Sequence, residues 1–146
     1  MDKILVLHGP NLNLLGKRDP EQYGVLSLEE INKRLEAYGE EKGIQVETAQ
    51  SNLEGELINS LQRAGGDCVG VVFNPGGYTH TSVALRDAVE ALGVPVVEVH
   101  LSNIHGRENF RRRSLISPVC EGVVAGFGAV SYQLGMAALL HMKMER

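Results

Sequence analysis

The sequence predicts an α/β domain built on a doubly wound, five-stranded parallel sheet, and three observations carry that expectation. Short runs rich in Val, Ile and Leu alternate with stretches of helical periodicity, the pattern of parallel strands covered by helices on both faces. The first and third runs are apolar at nearly every position, as strands buried on both sides must be. The chain has 146 residues, the usual size of one domain, and no repeat or low-complexity linker divides it, so a single domain over residues 1–146 is expected. Five such strands fit the flavodoxin-like order 2-1-3-4-5.

Each element follows from local chemistry. Residues 3–8 form the first strand, closed by Gly9-Pro10. Ser27-Leu28-Glu29-Glu30 is a capping box, in which hydroxyl and carboxylate satisfy two orphan amides at a helix start. The helix it opens keeps Leu28, Ile31, Leu35 and Tyr38 on one face and ends at Gly43. Residues 44–49 alternate as a second strand, suited to a sheet edge. Leu57, Ile58, Leu61 and Ala64 mark the second helix, with a stop expected at Gly65-Gly66. Residues 68–73 form a very apolar third strand, expected at the sheet centre. Leu85, Ala88, Val89 and Leu92 define the third helix, and residues 95–100 the fourth strand. A short fifth strand over residues 122–126 precedes a last helix from about residue 129 to 144.

Composition narrows the function. A hydrophobic fraction of 43% and a charged fraction of 22% are those of an ordinary globular protein. A net charge of −4 gives no support to general nucleic-acid binding. No apolar run approaches a membrane span, and the apolar start at residues 3–7 is too short for a signal peptide, so a cytoplasmic protein is expected. Cys68 and Cys120 lie in or beside apolar runs, where buried free thiols are favoured over a disulfide.

Two connections, residues 9–26 and 101–118, are too long to be simple connectors, and ligands in this architecture bind at the carboxyl ends of the strands. Strand 1 delivers His8, Asn11 and Asn13 there. Strand 3 delivers Asn74 and then Pro75-Gly76-Gly77-Tyr78-Thr79-His80, and strand 4 delivers Glu98-Val99-His100-Leu101-Ser102-Asn103. Scattered surface polarity would not cluster at three adjacent strand ends, so a site is expected on this rim.

Each piece also has a plainer reading. His8 serves equally well as a structural cap. Gly76-Gly77 is a tight turn by itself, yet before a helix it lets backbone N–H groups face an anion. It matches neither the phosphate loop nor the dinucleotide fingerprint. The histidines lack helical ligand spacing and no Cys-x-x-Cys supports them, so no metal is expected. Ser102 beside His100 lacks the strand–turn–helix elbow of a nucleophile. Arg111-Arg112-Arg113, in an acidic chain, suits a carboxylate clamp better than a nucleic-acid patch. His141 and Tyr132 on the last helix read as structural. Tyr23, five residues after Arg18, is either an exposed loop aromatic or a tyrosinate base whose ordinary pKa near 10 a guanidinium would lower. Two rivals stand beside an acid–base enzyme: a metal hydrolase using His8, His80 and His100, and a nucleotide-binding or regulatory module on the same fold.

Several long motifs then occur together in order. They are Gly9-Pro10-Asn11-Leu12-Asn13-Leu14-Leu15-Gly16, the segment from Arg18 to Tyr23, and Gln50-Ser51-Asn52-Leu53-Glu54-Gly55. Asn74-Pro75-Gly76-Gly77-Tyr78-Thr79-His80-Thr81-Ser82, Glu98-Val99-His100-Leu101-Ser102-Asn103 and Arg107-Glu108-Asn109-Phe110-Arg111 complete the set. With these the chain resembles the type II 3-dehydroquinate dehydratase family over nearly its whole length. The resemblance implies reversible dehydration of 3-dehydroquinate to 3-dehydroshikimate, in the shikimate pathway or quinate catabolism, through an enolate and without a cofactor. It implies Tyr23 as base, Arg18 holding it as tyrosinate, and His100 as general acid oriented by Glu98. Asn74, Leu101 and Ser102 would hold the substrate carboxylate. Asn11, His80, Asp87 and Arg111 fall on further contact positions, with Asp87 serving its own or a neighbouring subunit. A homo-oligomer, a dodecamer built from trimers, and a mobile first loop are implied as well. The chain departs from the family's frequent residues at Gly77, Asp19 and Arg113.

Overall fold

The computed structural model describes residues 1–17 and 19–145, with the backbone alone at Pro20. Its strands are β1 (Lys3–His8), β2 (Gln45–Gln50), β3 (Gly70–Asn74), β4 (Val96–His100) and β5 (Gly122–Ala125). Its α-helices are α1 (Pro20–Tyr23), α2 (Leu28–Glu41), α3 (Glu54–Asp67), α4 (Val83–Glu90) and α5 (Val130–Glu145). The strands lie in the order β2-β1-β3-β4-β5 and every neighbouring pair is parallel, as the alternating pattern requires.

Strand side chains alternate between two dry layers. Ile4, Val6, Val72, Val97 and Val99 pack toward α2 and α5, against Leu35, Tyr132 and Met136. Leu5, Leu7, Val71, Phe73 and Val96 pack toward α3 and α4, against Leu57, Leu61, Leu85 and Val89. The same alternation decides where the polar strand ends go. His8 and Asn74 continue the even-numbered rows of β1 and β3 into the α2–α5 layer, whereas Glu98 and His100 continue the row of Val96 on the opposite face.

The capping box at α2 is complete: the Ser27 hydroxyl accepts from the Glu30 amide, and the Glu30 carboxylate accepts from the Ser27 amide. Gly43, left-handed at φ 74°, ends that helix as expected. The stop expected at Gly65-Gly66 is absent, and α3 runs through both to Asp67. A glycine ends a helix by turning left-handed, and neither of these does. Consequently Cys68 caps α3, and β3 begins at Gly70 rather than at residue 68. Cys68 is buried, Cys120 is half-buried, and both thiols are free. Among the described residues no helix is long and apolar enough to cross a membrane.

Candidate active site

Two loops pressed together at the carboxyl ends of β1 and β3 found the site. The Gly9 amide donates to the Asn74 carbonyl at 2.7 Å. A Cβ on Gly9 would lie 2.5 Å from the Pro75 carbonyl oxygen, and one on left-handed Gly76 would lie 3.0 Å from that of Pro10. Only glycine permits this approach. It leaves Asn11 at φ 69°, the one non-glycine residue with positive φ among those described, in a conformation asparagine tolerates. The Asn11 amide is tied to Asn52 Oδ1 at 2.9 Å.

Beside these loops lies a cavity of about 190 Å³. Asn11 and Leu12 line it from the first loop; Asn74, Gly76, Gly77 and His80 from the second; and His100, Leu101 and Ser102 from the end of β4. Tyr23, Ile104, Arg107 and Arg111 complete the lining. It is polar and smaller than the 300–1,000 Å³ of typical drug-sized pockets, a fit for a small anionic molecule and not for a dinucleotide.

His100 lines the cavity and Glu98 stands behind it. Residues two apart on a strand share a face, and His100 Nε2 meets Glu98 Oε2 at 2.5 Å. The Glu98 carboxylate also accepts from Thr79 Oγ1 at 2.9 Å, Ser114 Oγ at 2.9 Å and Ser117 Oγ at 2.9 Å. Burial pushes this carboxyl up, but the bonds and charge of His100 and the hydroxyls of Ser114 and Ser117 hold it below its ordinary range. An ionised Glu98 requires Nε2 of His100 to carry the proton, which leaves Nδ1 to meet a ligand.

Tyr23 reaches the cavity from α1, a single turn begun at Asp19. The Asp19 carbonyl accepts from the Gln22 and Tyr23 amides, and its carboxylate accepts from the Glu21 amide at 3.0 Å. The Arg107 guanidinium lies 5.2 Å from the Tyr23 ring centroid and donates to Ser102 Oγ at 3.3 Å. Arg107 Nε is the one buried side-chain N or O atom without a hydrogen bond among the described residues. That atom lies 3.8 Å from Glu108 Oε1, and the guanidinium as a whole lines the cavity as a cation.

The other expected residues divide. His80 donates from Nδ1 to the Arg113 carbonyl at 2.7 Å, and Arg111 is held by Glu108 at 2.8 Å, so both present fixed groups to the cavity. Asp87 sits exposed on α4 and does not line the cavity. Arg18 lies outside the described residues. His8 and Asn13, expected on the rim, do not reach the cavity: His8 is fully buried against Tyr132 and Asn32, and Asn13 accepts from Gln50 at 3.4 Å. With His8 withdrawn, the three-histidine metal site has no geometry. The one cluster of potential ligands among the described residues, Glu47, Asp67 and Cys68, lies toward the other end of the sheet, where Lys3 pairs with both carboxylates. Sequence reasoning gave no role to Arg107, Thr79, Ser114 or Ser117. The unused signal was Arg107, four residues before Arg111 in a motif already singled out.

The cavity thus joins a carboxylate-backed imidazole, a phenol and guanidinium groups. The profile described as Dehydroquinase class II matches residues 2–140. The chain belongs to the class II dehydroquinase family. Among dehydroquinases, a protein of Pelotomaculum thermopropionicum named 3-dehydroquinate dehydratase is 55% identical over 136 residues, 93% of this chain and 94% of that one. One from Geotalea daltonii with the same name is 54% identical over 142 residues, 97% of this chain and 99% of that one. The crystal structure of the type II dehydroquinase from Butyrivibrio crossotus matches with a TM-score of 0.93 at 42% identity, covering 95% of this chain and 97% of that one.

Proposed function

We propose that this chain is a hydro-lyase that reversibly dehydrates 3-dehydroquinate to 3-dehydroshikimate, serving aromatic biosynthesis in the shikimate pathway or quinate catabolism. The observation that carries the reading is the pairing, in one small cavity, of a carboxylate-backed His100 with Tyr23 beneath a guanidinium. Dehydrating a β-hydroxy ketone needs a base at the α-carbon, stabilisation of the enolate and an acid for the departing hydroxyl. Tyr23 as tyrosinate takes the α-proton. His100 then gives a proton to the leaving hydroxyl, which departs as water, and Glu98 stabilises the imidazolium. No lysine lines the cavity among the described residues, which supports an enolate over an imine.

The remaining roles follow the family resemblance. Asn74, Leu101 and Ser102 hold the substrate carboxylate, Arg18 and Asn11 act at the base and the enolate, and His80, Arg111 and Asp87 complete the contacts, Asp87 toward a neighbouring subunit. The chemistry asks for no cofactor. The test is an ultraviolet assay for the conjugated enone product. His100→Ala and Tyr23→Phe should each lower kcat by about 10²–10⁴-fold on folded protein. Turnover within a few-fold of wild type in either variant removes that residue's role.

We propose further that the chain acts in the cytoplasm as one domain over residues 1–146, assembled as a dodecamer built from four trimers. Val123 on β5 and Phe127, Val130 and Leu134 on and before α5 stay exposed in the isolated chain, apolar area suited to burial between subunits. Light scattering should find a higher oligomer at micromolar concentration, and a monomer would refute the assembly.

A further inference from the structure

We infer that Asn32, His8 and Tyr132 form a buried relay that fixes the orientation of the Asn74 side-chain amide, and are thus positioning residues for substrate binding. The ligand's identity as 3-dehydroquinate rests on the dehydratase reading above, whereas the relay itself does not.

The chain of bonds runs through the α2–α5 layer. The Gly76 amide donates to Asn74 Oδ1 at 3.0 Å, and Asn74 Nδ2 donates to Tyr132 Oη at 2.9 Å. Tyr132 Oη lies 2.8 Å from His8 Nδ1, and His8 Nε2 lies 2.8 Å from Asn32 Oδ1. His8 and Tyr132 are fully buried, and Asn74 nearly so, so a polar group left unpaired at the central joints is costly.

Directions follow from one end. A backbone N–H can only donate, so the Gly76 amide compels the oxygen of Asn74 to face it and the nitrogen to face Tyr132. The Tyr132 oxygen then accepts, and its proton is free to point at His8 Nδ1. A neutral imidazole that accepts at Nδ1 carries its proton on Nε2 and must find an acceptor there, which Asn32 Oδ1 supplies. Burial keeps that ring neutral, lowering its pKa to about 4 against the opposing pull of the Asn32 bond. Every joint therefore has one polarity. The second N–H of Asn74 Nδ2 has no acceptor among the described residues, and Asn74 lines the cavity. The relay thus presents a donor, never an amide oxygen, to a substrate carboxylate. Neither His8 nor Tyr132 lines the cavity, and the hydrogen bonds of the relay reach it through Asn74.

Tyr132→Phe keeps the ring and deletes the relay's central hydroxyl, freeing the Asn74 amide to turn. For a donor to a carboxylate, KM for 3-dehydroquinate should rise roughly 10-fold, with kcat changed much less because the contact is common to ground and transition states. Asn74→Ala should raise KM at least as much. Adding Tyr132→Phe to Asn74→Ala should then raise it no further, because the hydroxyl acts only through that amide. An unchanged KM in Tyr132→Phe, or two effects that multiply, would overturn the relay, and a purely structural tyrosine would lower Tm alone. Neutron diffraction of the wild-type protein tests the polarity without substrate. A deuteron on His8 Nε2, with the Tyr132 O–D aimed at His8, is expected, and a deuteron on His8 Nδ1 would sink the proposal. Wild-type protein inactive toward 3-dehydroquinate would refute the dehydratase reading while leaving the neutron result to decide the relay.

Discussion

Glu98 keeps its charge without exposure to water because four side chains donate to it. Ser117 is the simplest of these to test, since among the described residues its hydroxyl has no other hydrogen bond than the one to Glu98 Oε1 at 2.9 Å. Glu98 ionises below the ordinary carboxylate range, so the stability it contributes is present above that range and is lost as pH falls through its folded value. Ser117→Ala removes a charge-assisted bond, of a kind worth about 1.5–3 kcal/mol, and raises the folded value. Acid unfolding followed by circular dichroism should therefore begin at a higher pH in the variant, and kcat/KM should fall. Superimposable acid transitions would mean that Ser117 does not sustain the charge. The Glu98–His100 pair is legible in the sequence because the strand repeat puts residues two apart on one face. Its donors Ser114 and Ser117 are not, since they come from 16 and 19 residues downstream on a loop whose path no periodicity dictates.

Among the elements, the strands and the long helices were readable because burial on two faces or one imposes a repeat on the residues. Glycine was harder to read, because one residue type serves two different needs. Gly43 turns left-handed and ends α2, whereas Gly65 and Gly66 stay helical within α3. Gly65 allows close approach to the far end of the α4 region, where a Cβ would lie 3.0 Å from Leu92 Cδ2. Gly66 has no such reason, for a Cβ there would meet nothing within 4 Å. Gly66→Ala should consequently stabilise the protein by about 0.5–1 kcal/mol, the helical cost of glycine relative to alanine. Urea unfolding reads this as a higher midpoint at unchanged slope. A midpoint that falls would reveal a contact of Gly66 in the assembled protein. At Gly65 the sign of the same substitution depends on whether the Leu92 side chain can give by a few tenths of an ångström.

For the molecule as a whole, the polar relay in the α2–α5 layer ties the sheet to both helices on that face, and its stability should carry the mark of His8. Burial holds the His8 pKa near 4 against an ordinary 6.5, and both hydrogen-bond partners, Tyr132 and Asn32, are uncharged. Between those values the unfolded chain binds a proton that the native state refuses. Stability is therefore fully present above pH 6.5 and is lost as pH falls through about 4, by about 3 kcal/mol over the whole interval. The loss does not continue below that window, because His8 is then protonated in both states. His8→Gln removes the titrating group and retains an amide for hydrogen bonding. It should be less stable than wild type at pH 7, where it forfeits the relay geometry, but the gap should narrow steadily between pH 6.5 and 4. Denaturant unfolding of both proteins at half-unit pH steps measures that gap directly. A gap that stays constant across the interval would show that His8 is not held neutral, and that the buried histidine is charged in the native fold.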